Sequence, residues 1–305
     1  LFYFVLVVYW LYFLLFSLKS RLTSFYLWSK LNIGHRGGLF IMKPIKAIIF
    51  DLDNTLLWDE KSINEAFQET CRIASESVNV DPSALESAVR ESSEHLFRTM
   101  ACYEFAKMIE VTHLEALWGR FDSKEHRSFL ELEQFAPIYQ KESWTQGLLK
   151  LGIDDPLLGE KLAERFARER RERPLVYETT FEVLNALHHN YQLLLMTNGA
   201  PDLQQEKVDS IPGLAAYFDH ILISGSFGKG KPDPTIFEHA LNLLGTTVEE
   251  TIMVGDNLDT DIRGALGVGM RNVWINHHNR TAPIHNRPSY EIATLPELLG
   301  ILKPE

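Results

Sequence analysis

Two carboxylates one residue apart, Asp51 and Asp53, close the apolar run Ala47–Phe50. Alternate side chains of an extended chain share a face, so both acids can reach one ligand just beyond the strand's carboxyl end. That geometry sets a nucleophile beside a proton donor or acceptor. Asp and Asn also favour plain turns by hydrogen-bonding their own backbone, so the pair gains meaning only from what the other apolar runs carry.

Three further runs end in polar residues. Leu193–Met196 leads into Thr197-Asn198-Gly199, and Ile221–Ser224 leads through a glycine-rich stretch to Lys231-Pro232. Thr251–Val254 leads into Gly255-Asp256-Asn257-Leu258-Asp259-Thr260-Asp261. In order and spacing these four motifs resemble those of the haloacid dehalogenase (HAD) superfamily, over residues 45–59 and about 177–276. The resemblance implies that Asp51 attacks phosphorus and Asp53 moves the protons. It gives phosphate binding to Thr197 and Asn198, whose hydroxyl and neighbouring amides can bind phosphoryl oxygens without competing as nucleophiles. Lys231 would offset negative charge, with Lys229 as its rival. The metal would be held by the Asp51 carboxylate, the Asp53 backbone carbonyl and Asp256, with Asp261 supporting from behind and Asp259 competing for that place. Four clustered carboxylates repel unless a cation compensates, and all-oxygen donors suit Mg²⁺.

These residues need a scaffold that brings the ends of four runs together. Apolar runs separated by helical segments predict a parallel sheet covered on both faces, with ligands beyond the strands' carboxyl ends. The expected fold is α/β, a Rossmann-like parallel-sheet core with an inserted α-helical cap. Core residues are expected at 42–59 and 174–305, and the cap at 60–173, the position of the C1 caps of the superfamily. Within the cap, Ser62-Ile63-Asn64-Glu65 reads as a capping box and Asp81-Pro82 as a helix start. Leu157–Arg171 is a charged amphipathic segment, and Trp118, Phe121 and Trp144 are expected in the cap's core. Trp58–Lys61 and Glu172–Val176 would be the hinges, with Trp58 near the substrate entrance.

Composition narrows the partners. The chain has 305 residues, 41 acidic against 30 basic, and a net charge of −11. Such a surface repels nucleic-acid polymers while leaving a small phosphorylated metabolite free to enter a locally positive pocket. Cys71 and Cys102 are the only cysteines and form no zinc or disulfide pattern, which suits a reducing, cytoplasmic setting. Leu1–Leu18 carries no charge and is long enough to span a membrane. However, the first methionine is Met42, directly before the lead into the first strand, so residues 1–41 are expected to be a translated leader outside the native protein. A membrane role follows only if residues 1–18 are native; the oligomeric state has no signature.

The expected activity is a Mg²⁺-dependent phosphomonoester hydrolase working through an aspartyl-phosphate, with O-phosphoserine as favoured substrate. Gln204 and Lys207 resemble the branch of nucleotide 5′-phosphatases and N-acylneuraminate 9-phosphate phosphatases, related to a bacterial phosphoserine phosphatase group. Sugar phosphates and nucleoside 5′-monophosphates are therefore alternative substrates. A phosphomutase and a noncatalytic regulatory binding protein are the alternative functions. A phosphoserine enzyme should set a cap cation opposite the substrate carboxylate, for which Arg98 and Lys107 are candidates.

Overall fold

Six parallel strands build the sheet: β1 (Ala47–Phe50), β2 (Gln192–Thr197), β3 (His220–Ile223), β4 (Thr251–Gly255), β5 (Arg271–Ile275) and β6 (Tyr290–Ile292). Their order is β3-β2-β1-β4-β5-β6, so the chain builds outward on one side of β1 and then crosses to the other. Phe50 lies opposite Leu195 of β2 and Val254 of β4. Such a reversal of direction opens a crevice at the strands' carboxyl ends, where parallel sheets bind ligands. The computed structural model describes residues 43–302; the expected leader or membrane segment lies outside them. Among the described residues no helix is long and apolar enough to cross a membrane.

Six helices follow β1 in the insert: α1 (Asp59–Ser77), α2 (Pro82–Thr99), α3 (Tyr103–Met108), α4 (His113–Ala116), α5 (Arg127–Lys150) and α6 (Pro156–Glu172). The remainder are α7 (Thr180–Leu187), α8 (Pro201–Asp209), α9 (Ser224–Phe227), α10 (Pro234–Leu244), α11 (Arg263–Gly267) and α12 (Leu298–Ile301). Strand alternation directs Ile48 and Phe50 to one face of the sheet, with Val183, Leu184 and Leu187 of α7. Ala47 and Ile49 meet Ile236, Phe237 and Ala240 of α10 on the other. With both faces covered, the strands read as unbroken apolar runs.

The inserted helices form a cap with its own core. Phe67, Trp144 and Phe166 meet there with ring centroids 4.4 to 5.8 Å apart, and Trp118 and Phe121 are buried in the same cluster. Among the described residues, only Ala200 and Leu203 of the sheet domain join this cluster, so little apolar surface ties cap to sheet. Helix α2 starts at Asp81, whose carboxylate accepts from Ala84 N at 2.8 Å, with Pro82 in the first turn. Helix α5 packs against both α2 and α6 and carries Pro137 internally. Its Gly147 permits the close approach: a Cβ there would lie 2.5 Å from Val89 Cγ2.

The start of α1 differs from the sequence expectation. The helix begins at Asp59, three residues before the proposed capping box, and Ser62 lies inside it. Its hydroxyl instead donates to Arg173 O at 2.6 Å and accepts from Arg170, joining the entry and exit of the cap. The two linkers also pair directly. Leu57 and Val176 form an antiparallel bridge, and Trp58 N donates to Leu175 O at 2.9 Å. Residues 59–61, expected as hinge, are already the first turn of α1.

Candidate active site

Asp51 follows β1 directly, and its backbone N donates to Val254 O, extending the ladder one residue past the strand. Its carboxylate is nearly buried. Oδ1 accepts from Lys231 Nζ at 2.5 Å, and Oδ2 accepts from Thr55 Oγ1 at 3.0 Å. Lys231 also donates to Met196 O at 2.8 Å and pairs with Asp261 at 2.8 Å. Burial opposes its charge, but Asp261 and Asp51 more than offset this and raise its pKa. Lys229, by contrast, is exposed and pairs with Asp233.

The Asn198 side chain has a task at the Lys231 backbone. Its amide donates to Lys231 O at 2.9 Å and accepts from Lys231 N at 2.8 Å. The side chain thus clips the backbone that carries Lys231. Thr197 ends β2 at the same sheet edge, with its side chain buried.

Beyond β4, Asp256 precedes a π-helical turn over Leu258–Ile262, and Asp261 lies within it. This turn folds Asp261 back so that its Oδ2 accepts from Asn257 N at 3.1 Å. Gly255 makes room for it, since a Cβ there would sit 2.2 Å from Asp261 Oδ2. Asp259 points away, 3.9 Å from Arg263. Oxygens of Asp51, Asp256 and Asp261 lie within 4.8 Å of one another. Burial, then the neighbouring Asp51 and Asp261 charges, raises the Asp256 pKa well above the usual carboxylate range. Burial also pushes Asp261 up to about 6, against the pull of Lys231. Three carboxylates with hard oxygen donors and one tightly held ammonium are compatible with a divalent cation.

Asp53 stands apart from that cluster. Its carboxylate turns toward the cap: Oδ2 accepts from Lys207 Nζ at 2.8 Å and from Gln204 Nε2 at 3.3 Å, both on α8. Oδ1 is buried without a hydrogen-bond partner. Burial pushes its pKa up to about 7, with Lys207 opposing. Its carboxylate is not among the three that converge as possible metal ligands.

Sequence reasoning missed the cap's own contribution here. Glu115 of α4 accepts at Oε1 from Lys207 Nζ and Gln204 Nε2, each at 3.0 Å, while Oε2 accepts from Thr112 N at 2.9 Å. Its visible signal was the capping-box spacing Thr112 to Glu115, which marks a helix start and says nothing of a site. Of the proposed cap cations, Arg98 is exposed and paired to Glu94, and Lys107 is exposed beside an open cleft that Gly230 and Pro232 also line. Trp58 is partly exposed at the linkers, where its ring stacks on Tyr177 at 5.2 Å, and Tyr177 stacks on His277 at 4.8 Å.

A family model described as haloacid dehalogenase-like hydrolase matches residues 45–269. A phosphoserine phosphatase of Thermus thermophilus is 35% identical over 254 residues, spanning 83% of this chain and 98% of that protein. The N-acylneuraminate-9-phosphatase of Mus musculus is 34% identical over 157 residues, 50% of this chain and 62% of the relative. Among solved structures, the magnesium-bound HAD-hydrolase YfnB of Bacillus subtilis aligns with a TM-score of 0.61 at 21% identity. That alignment covers 86% of this chain and all of YfnB, a likeness of fold.

Proposed function

The chain belongs to the haloacid dehalogenase-like hydrolase family, and from that premise we propose that it is a Mg²⁺-dependent phosphatase forming an aspartyl-phosphate on Asp51. One observation carries the reading: at the strand-order reversal, the Asp51 carboxylate is held by Lys231 and Thr55 within ligand-sharing reach of Asp256 and Asp261. A carboxylate so fixed, beside a buried ammonium, is oriented for in-line attack and cannot swing away.

In the first step an Asp51 oxygen bonds to phosphorus as the ester P–O bond breaks, and Asp53 gives its proton to the leaving oxygen. In the second, Asp53 takes a proton from water, the water oxygen bonds to phosphorus, and the Asp51–phosphorus bond breaks to release phosphate. Asp53 suits both steps because its pKa of about 7 permits either protonation state near neutrality. Lys231 and the Thr197 hydroxyl stabilise the transferring oxygens, and Asn198 keeps Lys231 in place. Mg²⁺ held by Asp51, Asp256 and the Asp53 carbonyl would supply positive charge against the phosphoryl group, with Asp261 bracing the site through Lys231 and Asn257.

The substrate is a small phosphorylated metabolite of the cytoplasm, and O-phosphoserine is the favoured member. The Thermus thermophilus relative, matched over 98% of its length at 35% identity, carries that substrate in its name. The N-acylneuraminate-9-phosphatase likeness keeps sugar phosphates beside it. Trp58 serves the entrance in this reading.

Phosphate release, with and without Mg²⁺, should be measured on phosphoserine, sugar phosphates and nucleoside monophosphates, with Asp51→Asn as control. Mg²⁺-dependent release that vanishes in the mutant is expected. Release that persists in Asp51→Asn would overturn the nucleophile assignment, and turnover without net release would favour a phosphomutase.

A further inference from the structure

Asp53 and the cap's Glu115 share the same two donors. Lys207 Nζ reaches Asp53 Oδ2 at 2.8 Å and Glu115 Oε1 at 3.0 Å; Gln204 Nε2 reaches the same two oxygens at 3.3 and 3.0 Å. Lys207, Gln204 and Glu115 are all buried. Glu115 has no slack: its other oxygen is held by the backbone N and hydroxyl of Thr112. A second cap carboxylate, Asp59, stands 3.8 Å from Lys207 and is gripped by Arg170 at 2.6 Å.

From this arrangement we infer that Glu115 is a positioning residue for proton transfer, acting through Lys207 and Gln204 on Asp53. The inference rests on the phosphatase reading above. Three observations support it. First, the shared donors engage one Asp53 oxygen only, leaving Oδ1 buried and unpartnered, as an atom that exchanges a proton with the leaving oxygen must be. Second, Lys207 and Gln204 are long, flexible side chains, and anchoring each at a second acceptor removes the freedom that would let Asp53 rotate with them. Third, this acceptor comes from the insert, whose apolar contact with the sheet domain is slight. The polar clamp therefore exists only while the cap is seated, and it makes the orientation of Asp53 depend on cap closure.

The clamp also differs from a substrate-binding group. All the hydrogen-bonding reach of Glu115 is spent on Lys207, Gln204 and Thr112, so it acts on the reaction without touching the substrate.

The test compares two substrates in Mg²⁺-loaded protein: an alkyl phosphate, whose leaving oxygen needs a proton, and p-nitrophenyl phosphate, whose leaving group scarcely does. General acid catalysis contributes about 10²–10⁴-fold, so losing its alignment should lower kcat for the alkyl ester in Glu115→Gln by at least roughly thirtyfold. The p-nitrophenyl ester should slow by no more than about threefold, with KM for both little changed. Glu115→Asp, which keeps the charge but shortens the reach to Lys207 and Gln204, should show the same split and decides the matter if Glu115→Gln does not fold. Glu115→Gln combined with Lys207→Met should be no slower than Lys207→Met alone, because both act on one group. Equal losses on both esters, or a change confined to KM, would make Glu115 a merely structural or binding residue and overturn the inference. The phosphatase reading is judged separately by the unmodified protein and Asp53→Asn: release that shows the ester split in Asp53→Asn but not in Glu115→Gln sinks only the clamp. No release from the unmodified protein on either ester sinks both.

Discussion

Replacing Lys231 with Met takes a buried ammonium out of contact with Asp51 at 2.5 Å and Asp261 at 2.8 Å while roughly keeping the volume. Thr55 and Asn257 N still serve the two carboxylates, but neither carries charge. Breaking a buried ion pair from one side costs about 3–5 kcal/mol. An independent ceiling comes from proton uptake. A stranded carboxylate escapes its charge by binding a proton, which at pH 7 costs about 4 kcal/mol for a group whose unfolded pKa is near 3.9. One proton shared between Asp51 and Asp261 removes most of their repulsion, so the two figures agree. The sign follows from raised folded-state pKa values: the penalty is absent below the unfolded pKa and grows as pH rises toward the folded one. At pH 5.5 the ceiling is accordingly about 2 kcal/mol. Urea unfolding of the parent and Lys231→Met in EDTA, at both pH values, measures the difference. A loss below about 1 kcal/mol at pH 7, or an equal loss at both pH values, would refute the electrostatic account of the site. Added Mg²⁺ should restore part of the loss, since a cation that binds only the folded cluster stabilises it by mass action.

Asp53 must be protonated to act as an acid, so kcat for alkyl phosphates should fall about tenfold per pH unit above roughly 7, while p-nitrophenyl phosphate shows a flatter limb. Parallel profiles would remove the acid role. Cys71 is buried and its thiol is pushed up to about 12 by burial, and Cys102 is buried with a raised pKa too. Both should resist a thiol reagent such as DTNB at pH 8 in the native protein and react within seconds in urea; rapid native labelling would contradict their burial. Arg170→Met should cost about 3–5 kcal/mol, because buried Asp59 keeps only Lys207 at 3.8 Å. Its urea midpoint checks this, and a shift worth less than about 1 kcal/mol would show Asp59 to be well solvated.

The parts of the molecule legible in the sequence are those governed by local rules. Ala47–Phe50 is apolar because both sheet faces are covered, and Asp51 follows where the strand leaves the core. Asp81-Pro82 starts a helix by contacts within four residues. Ser62-Ile63-Asn64-Glu65 misled because the chain enters α1 straight from the linker bridge, so the hydroxyl was needed by Arg173 instead of a helix end. Helix α5 is only weakly amphipathic in sequence because Leu130, Ile138 and Leu149 stand exposed on it while Ser143, Thr145 and Gly147 are buried. The Asp53 clamp was illegible for another reason. Lys207 is 154 positions from Asp53 and 92 from Glu115, and no spacing rule links residues joined only by the docking of an insert. Asn198 shows the reverse case: its motif was visible, but only the Lys231 backbone beside it reveals what the amide holds.

The paired linkers have a mechanical consequence. Two independent tethers would let the helical insert slide, tilt and twist, and each such freedom would have to be frozen before Glu115 could meet Lys207. Here Leu57–Trp58 and Leu175–Val176 are hydrogen-bonded into a single ribbon, braced by Ser62 and Arg173. A two-stranded ribbon bends readily across its plane and resists shear within it, so any swing of the insert runs along one arc. Glu115 is carried along that arc to a fixed landing point, and loosening the ribbon would blur where it lands without altering any residue at the reaction centre.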